Sequence, residues 1–287
     1  NDPFYFKKGN TQFSFANDFE EFFINYKTNL VGYSLYELIP FKSKLPLYLD
    51  IEYYLNKEND QPLESFLELF NLFVREKLPT YFTQDIQKED WKISRATREK
   101  EVGDCTYIYH SFHVILSQKC HYFKCQQDIK ILLKNMEYWA QLSQDSKITT
   151  LYNHLNIESP RNKEKGIIDY KVYNINIDTF KAFRLPYSQK SNGKDILIPI
   201  DTSGGDNDDL REYFVTYNKR YDKKAYSINI PQSWFQSSKL VTNPLAYKIS
   251  SPCLIIPTST TRRVTNLFNR YHPNGKFVSS KISKTGD

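Results

Sequence analysis

Residues 46–54 read Pro-Leu-Tyr-Leu-Asp-Ile-Glu-Tyr-Tyr. The run is rich in aromatic and aliphatic residues and ends in a polar stretch at 56–61, which predicts a strand. Side chains alternate along a strand, so Asp50 and Glu52 project from one face. Two readings of the pair stand side by side. A half-exposed edge strand holds both acids in water. A covered face holds them only if positive charge offsets the cost, and a divalent cation supplies that charge. Hard carboxylate oxygens suit Mg²⁺ or Mn²⁺. Downstream, Asp60 and Pro62 mark a helix start, and Leu63, Phe66, Leu67, Phe70, Phe73 and Val74 form an apolar stripe at helical period. A strand therefore feeds a helix.

Outward from this unit, Phe4 and Phe6 against Phe13 and Phe15 predict a hairpin, and Asn17-Asp18 caps a helix carrying Phe22, Phe23 and Tyr26. Strands are expected at 91–97 and 107–116, joined by a charged loop containing Gly103, and a helix at about 126–142. The polar stretch 143–165 reads as an exposed connection, and strands follow at 167–173 and 182–187. Strands interrupted irregularly by helices predict an α+β fold rather than a doubly wound sheet. Residues 203–209 read as a solvated acidic loop, and the tail after Pro257 carries Arg262, Arg263, Arg270, Lys276, Lys281 and Lys284 against Asp287.

Three further groups carry chemistry. Ser111-Phe112-His113 places a hydroxyl and an imidazole on one side of a strand, where both can donate to phosphate oxygens. A nucleophilic Ser–His pair is disfavoured because no Gly-x-Ser-x-Gly elbow surrounds Ser111; a structural histidine is the plain alternative. Asp169, in Gly-Ile-Ile-Asp-Tyr, is either a third metal ligand or a capping acid. Three such carboxylates suit two ions about 4 Å apart. Arg184 and Lys190 flank Leu-Pro-Tyr-Ser-Gln just beyond a strand, a position from which a fork and a point charge grip a triphosphate, although loop-edge charges are often only solvated.

A formal net charge of +6 favours a polyanionic partner only weakly. The sequence has no apolar run long enough to span a bilayer and no signal-peptide pattern, and its start, lacking an initiator Met, reads as trimmed. Four cysteines in 287 residues make no disulfide framework, so a reducing, intracellular compartment is expected. Cys120-His121 and Cys125 lack a second pair at ligand spacing, so structural zinc is not expected.

In chain order the pieces are Asp-x-Glu, Ser-x-His, Asp, then Arg and Lys, and this order resembles the motif set of the archaeo-eukaryotic primase superfamily. The likeness is closer to eukaryotic PrimPol-type primase-polymerases than to viral primase-helicase N-terminal domains. Four stretches spanning about 35–190 carry it: Leu-Tyr-Glu-Leu-Ile-Pro at 35–40 leading into Leu-Tyr-Leu-Asp-Ile-Glu at 47–52; Ser-Phe-His-Val-Ile at 111–115; Ile-Asp-Tyr-Lys-Val-Tyr at 168–173; and Phe-Arg-Leu-Pro-Tyr-Ser-Gln-Lys at 183–190. Where the family is often basic, two positions before the serine, this chain has Tyr109. The loop after Asp169 looks longer than usual, and no zinc-binding C-terminal module is visible.

The resemblance implies a small N-terminal αβ module on the template side (1–45), an RRM-like catalytic palm (46–257) and a basic tail (258–287). It implies that Asp50, Glu52 and Asp169 bind two Mn²⁺ or Mg²⁺ ions and that Ser111, His113, Arg184 and Lys190 contact the triphosphate. The expected activity is template-directed nucleotidyl transfer from dNTPs or NTPs on single-stranded or primed DNA, in replication or damage tolerance. A helicase or single-strand-binding protein is a candidate partner, a membrane is not, and a eukaryotic relative would work in the nucleus or mitochondrion. A two-metal nuclease and an inactive nucleic-acid-binding subunit are the rival readings.

Overall fold

The structure, a computed structural model, describes residues 4–9, 12–26, 33–55, 60–161, 163, 165–174, 179–190, 195–200 and 210–237. Its elements begin with β1 (Phe4–Lys8), β2 (Gln12–Ala16), α1 (Phe19–Asn25), β3 (Leu35–Pro40) and β4 (Lys42–Leu45). Then come β5 (Leu47–Leu55), α2 (Gln61–Lys77), β6 (Trp91–Val102), β7 (Cys105–Leu116), β8 (His121–Cys125), α3 (Gln126–Leu142) and α4 (Ser146–Leu155). The chain continues through β9 (Phe180–Arg184), β10 (Ile198–Ile200), β11 (Tyr226–Ser227) and α5 (Gln232–Ser237). The fold is α+β. No described helix is long and apolar enough to cross a membrane.

The central sheet has the order β10-β6-β7-β5 and is antiparallel throughout. Alternation along β5 and β7 sends Leu47, Leu49 and Ile51, with Phe112, Val114 and Leu116, to one face. There they join the apolar stripes of α2 and α3 in the main core. α2 buries Leu63, Phe66, Leu69, Phe70, Phe73 and Val74. At roughly 1.5–3 kcal/mol each, these outweigh the few tenths that Arg75 and Lys77 gain from the C-terminal dipole, so packing rather than local propensity holds the helix. The opposite face of the sheet carries Asp50, Glu52, Ser111 and His113.

The hairpin of β6 and β7 keeps register from Trp91↔Leu116 to Val102↔Cys105 and turns at Gly103, whose φ of +62° favours glycine. The charged loop expected around Gly103 is thus mostly paired strand. Its polarity reflects a ribbon that projects into solvent, not an absence of pairing.

Two expectations need correction. Residues 143–165 are not all connection, because 146–155 form α4. Asp145 accepts from the Lys147 and Ile148 amides at 2.7 and 3.1 Å, and Leu151 and Leu155 are buried in the main core. The helical spacing of those leucines was legible but diluted by polar neighbours. Likewise 167–173 is not a continuous strand. Ile168 bridges Ile51 antiparallel, and the chain then enters a 3-10 turn, Tyr170–Val172, capped by Asp169. The expected acidic loop at 203–209 and the tail at 258–287 lie outside the described residues.

A second sheet, β2-β1-β3-β9, takes its last strand from 180–184, so the segment expected as a unit over 1–45 is completed from far along the chain. Phe4, Phe22, Phe23, Tyr26 and Leu35 pack there with Phe214 in a smaller core. Glu37 of β3 is fully buried and accepts from the Val215 and Thr216 amides at 2.8 and 3.0 Å and from the Thr216 hydroxyl at 2.8 Å. Glu37→Ala is expected to cost about 3 kcal/mol or more in urea denaturation, because it orphans two amides and opens a cavity. Burial raises the Glu37 carboxyl from near 4.5 to about 7. The native state therefore binds that proton more tightly than the unfolded chain. Glu37's contribution is full below about pH 4.5 and declines as pH rises through about 7.

Candidate active site

The acids and the phosphate-binding candidates meet through strand register. β5 pairs with β7 so that Asp50 lies opposite His113 and Glu52 opposite Ser111. Four residues chosen from two separate stretches thus share one patch of sheet. On the free edge of β5, the Asp169 amide donates to the Asp50 carbonyl at 2.9 Å and the Glu52 amide to the Ile167 carbonyl at 2.7 Å. This pairing brings the third acid beside the first two. One Asp169 oxygen accepts from the Lys171 amide at 2.9 Å, so the capping role and the acidic cluster coexist.

Asp50 is the strained member. Its side chain is 14% exposed and its Oδ1 is buried without a hydrogen-bond partner. Burial, then the charges of Glu52 and Asp169, hold its carboxyl well above the usual range, against the opposing pull of Arg184 and Lys190. The three acids do not converge on one point. Among the described residues, no three His, Cys, Asp or Glu side chains group to hold a metal ion. The donor set still fits a hard divalent cation, which would relieve the unpartnered oxygen and the mutual repulsion together.

His113 is buried, and its Nδ1 donates to the Arg184 carbonyl at 3.1 Å. A carbonyl only accepts, so this contact fixes the tautomer. Burial and the Arg184 charge hold the imidazole well below its usual pKa, hence neutral. Its Nε2, 3.7 Å from Asp50 Oδ2, is then an acceptor. Donation from Nε2 to a phosphate requires a second proton, which the sequence alone did not reveal.

Arg184, Lys190 and Ser111 line a narrow crevice with Ala96, Arg98, Tyr109 and Asp195. Arg184 is 4% exposed and its Nη1 donates to the Asp195 carbonyl at 2.9 Å. Its Nη2 and the Ser111 hydroxyl are buried without partners. Lys190 Nζ stands 4.0 Å from Glu52 Oε1, between acids and cations. Asn192, Gly193 and Lys194 lie outside the described residues.

Comparisons with known proteins name no family. No protein-family model matches the chain, and no curated protein matches it.

Two site residues, Arg98 and Asp195, escaped sequence reasoning, and Tyr109 was noted only as a departure from the family pattern. Arg98 pairs with Tyr109 across β6 and β7 and forms an ion pair with Asp195. The Tyr109 ring gathers cations, with Lys100 Nζ at 3.5 Å, Arg98 Cζ at 5.0 Å and Lys190 Nζ at 5.9 Å from its centroid. Tyr109 thus lacks charge itself but organises the charge of its neighbours. Arg98 was read as part of a loop, and the β6–β7 pairing that aims it is tertiary information. Asp195's own carboxylate is the anion that Arg98 holds in the crevice.

Proposed function

We propose that this chain is a template-directed primase-polymerase of the archaeo-eukaryotic type. It transfers a nucleotide from a (d)NTP to the 3′ hydroxyl of a primer or initiating nucleotide. The carrying observation is the shared sheet face: a repelling carboxylate cluster at Asp50, Glu52 and Asp169 lies directly beside a crevice of buried, unpartnered donors on Arg184 and Ser111. The strand order supports the reading too. The sequence β5-α2-β6-β7-β8-α3-α4, returning through an isolated bridge at Ile168 beside β5, resembles the β-α-β-β-α-β pattern of an RRM-like palm with β8 and α4 inserted.

In this reading Asp50, Glu52 and Asp169 hold divalent ions, which when bound favour ionisation of the attacking hydroxyl and neutralise the leaving pyrophosphate. Arg184, Lys190, Arg98 and Ser111 bind and orient the triphosphate so that its α-phosphorus faces the acidic patch. The O3′–P bond forms, the bond from Pα to the β-phosphate bridge breaks, and pyrophosphate leaves. Neutral His113, fixed through Nδ1 on the Arg184 carbonyl, keeps its Nε2 lone pair beside the acidic patch. The DNA strand and nucleotides are the immediate partners; a helicase or single-strand-binding protein fits the same reading.

The test is extension of a primed template by the full chain with dNTPs and Mn²⁺ or Mg²⁺. Template-dependent extension is expected, with Lys190→Ala raising the apparent nucleotide KM about tenfold while template affinity holds. Strand degradation without extension would instead favour a two-metal nuclease, and binding without either reaction an inactive subunit.

A further inference from the structure

On the helix-covered face of the central sheet, away from Asp50 and Glu52, α2, α3 and α5 leave an apolar groove of about 450 Å³. Phe73 and Lys77 of α2, Tyr138, Trp139 and Leu142 of α3 and Trp234 of α5 line it. Its floor is aromatic: the Phe73 ring lies 5.4 Å from Trp139 and 5.5 Å from Trp234 between centroids. Asn135 Nδ2 donates to the Trp234 carbonyl at 3.2 Å, which fixes α5 against α3. The rim stays in water, with Tyr138 50% and Leu142 62% exposed. Lys77 is the one charged lining residue among the described residues, and Glu76 meets its charge at 2.6 Å. The groove therefore suits an uncharged, apolar occupant.

The described chain ends at Ser237 of α5, and residues 238–287 follow it. Their longest uninterrupted apolar run is Cys253-Leu254-Ile255-Ile256, bounded by Pro252 and Pro257. We propose that this run is the occupant: it docks in the groove between α2, α3 and α5 and closes the back of the main core. A proline biases the residue before it away from helix, and four consecutive apolar side chains are costly in water unless something buries them. In an extended run Leu254 and Ile256 project to one side, Cys253 and Ile255 to the other. Leu254 and Ile256 enter between the rings, and Cys253 stays at the rim beside Tyr138 and Leu142. The stretch 252–257 carries no charge, which matches the lining. Cys253 follows Ser237 by 16 residues, a reach of up to about 53 Å at ~3.3 Å per residue, ample for turning back onto a groove that begins at α5. The tether presents the run at an effective concentration on the order of millimolar. The inference uses no part of the polymerase reading.

The test is disulfide trapping in the full chain with the native Cys253 thiol. Cys105→Ser with Cys120→Ser removes the exposed thiols among the described residues. Leu142→Cys or Tyr138→Cys is then added, the protein is mildly oxidised, and mass spectrometry maps the bond. A bond to Cys253 within one chain is expected from at least one of the two positions, which requires the Cα atoms to come within about 7 Å. Phe13→Cys, exposed on the other sheet, gives none. No trapping at either groove position overturns the proposal, as does equal trapping at Phe13→Cys. Trapping between chains that grows with protein concentration also overturns it, because the occupant is then a second copy. Tryptophan emission gives a second readout. Of the three tryptophans Trp91 is buried, so acrylamide reaches chiefly Trp139 and Trp234. Leu254→Asp with Ile256→Asp is expected to shift the emission to longer wavelength and raise its quenching, whereas Lys276→Ala with Lys281→Ala changes neither. Emission and quenching alike in the wild type and the aspartate variant overturn the docking.

Discussion

Asp50→Asn is expected to abolish nucleotide incorporation and at the same time to raise the melting temperature of the protein without divalent ions. The first effect follows from removing the most buried carboxylate of the cluster, and at least about a thousandfold loss of rate is expected, the upper range for deleting one preorganised charge-stabilising group. The second follows from its environment. Asp50 Oδ1 has no hydrogen-bond partner, and Glu52 and Asp169 repel the ionised form. The neutral isostere removes that penalty, and a gain of about 1 kcal/mol corresponds to ~2–4 °C in a chain of this size.

The pH dependence fixes the sign. Asp50's folded pKa is raised, so the native state holds the proton more tightly than the unfolded chain, and stability falls as pH rises from the ordinary carboxylate range toward neutrality. The Asn variant flattens that slope. Mn²⁺ should raise the wild-type melting temperature at neutral pH and act much less on the variant. Calorimetric scans with and without Mn²⁺, beside the extension assay, check all of this. Normal incorporation by Asp50→Asn sinks the metal assignment, and a lower melting temperature sinks the electrostatic account.

Arg184→Ala carries the second large effect, a fall in kcat/KM for the nucleotide of about 10²–10³-fold, or roughly 3–4 kcal/mol. Arg184 is buried, with Nη1 on the Asp195 carbonyl and Nη2 unpartnered toward the crevice. A guanidinium held this way presents a ready donor to a phosphate oxygen. Arg184→Lys should recover little, because an ammonium cannot bond Asp195 and a phosphate with the same fork geometry. The His113 contact uses the backbone carbonyl of Arg184, so both variants leave it in place. Steady-state kinetics over nucleotide and template concentrations separate the effects, and an unchanged nucleotide KM with unchanged kcat contradicts the assignment.

The β6–β7 ribbon illustrates how far local pattern carries. Trp91, Ile93, Phe112, Val114 and Leu116 fall at period two, alternating with polar residues except at Ile115, and announce strands. Arg98-Glu99-Lys100-Glu101 has no apolar face and reads as loop, yet cross-strand pairing continues through it to Val102↔Cys105. Arg98 consequently reaches Tyr109 and Asp195, contacts that no window on the sequence displays. Asp169 shows the converse: its acidity was visible, but its place beside Asp50 depends on a single bridge, Ile51↔Ile168, too short to leave a period in the sequence.

The sequence by itself determined the period-two faces of β5 and β7, the apolar stripes of α2 and α3, the Asp18 cap of α1 and the set of acids and cations from which a site can be built. These follow from rules acting over a few residues, where side-chain direction is set by the backbone repeat. The tertiary structure alone decided that Asp50 faces His113 and Glu52 faces Ser111. It also decided that the His113 proton is committed to Arg184, that Tyr109 collects cations from its neighbours, and that 180–184 closes the N-terminal sheet. Apart from the Arg98 and Lys100 contacts with Tyr109, these facts join residues some 60 to 150 positions apart. Register over such distances is chosen by burying one face of each strand against the helices, a condition imposed by the whole core at once and written in no single segment.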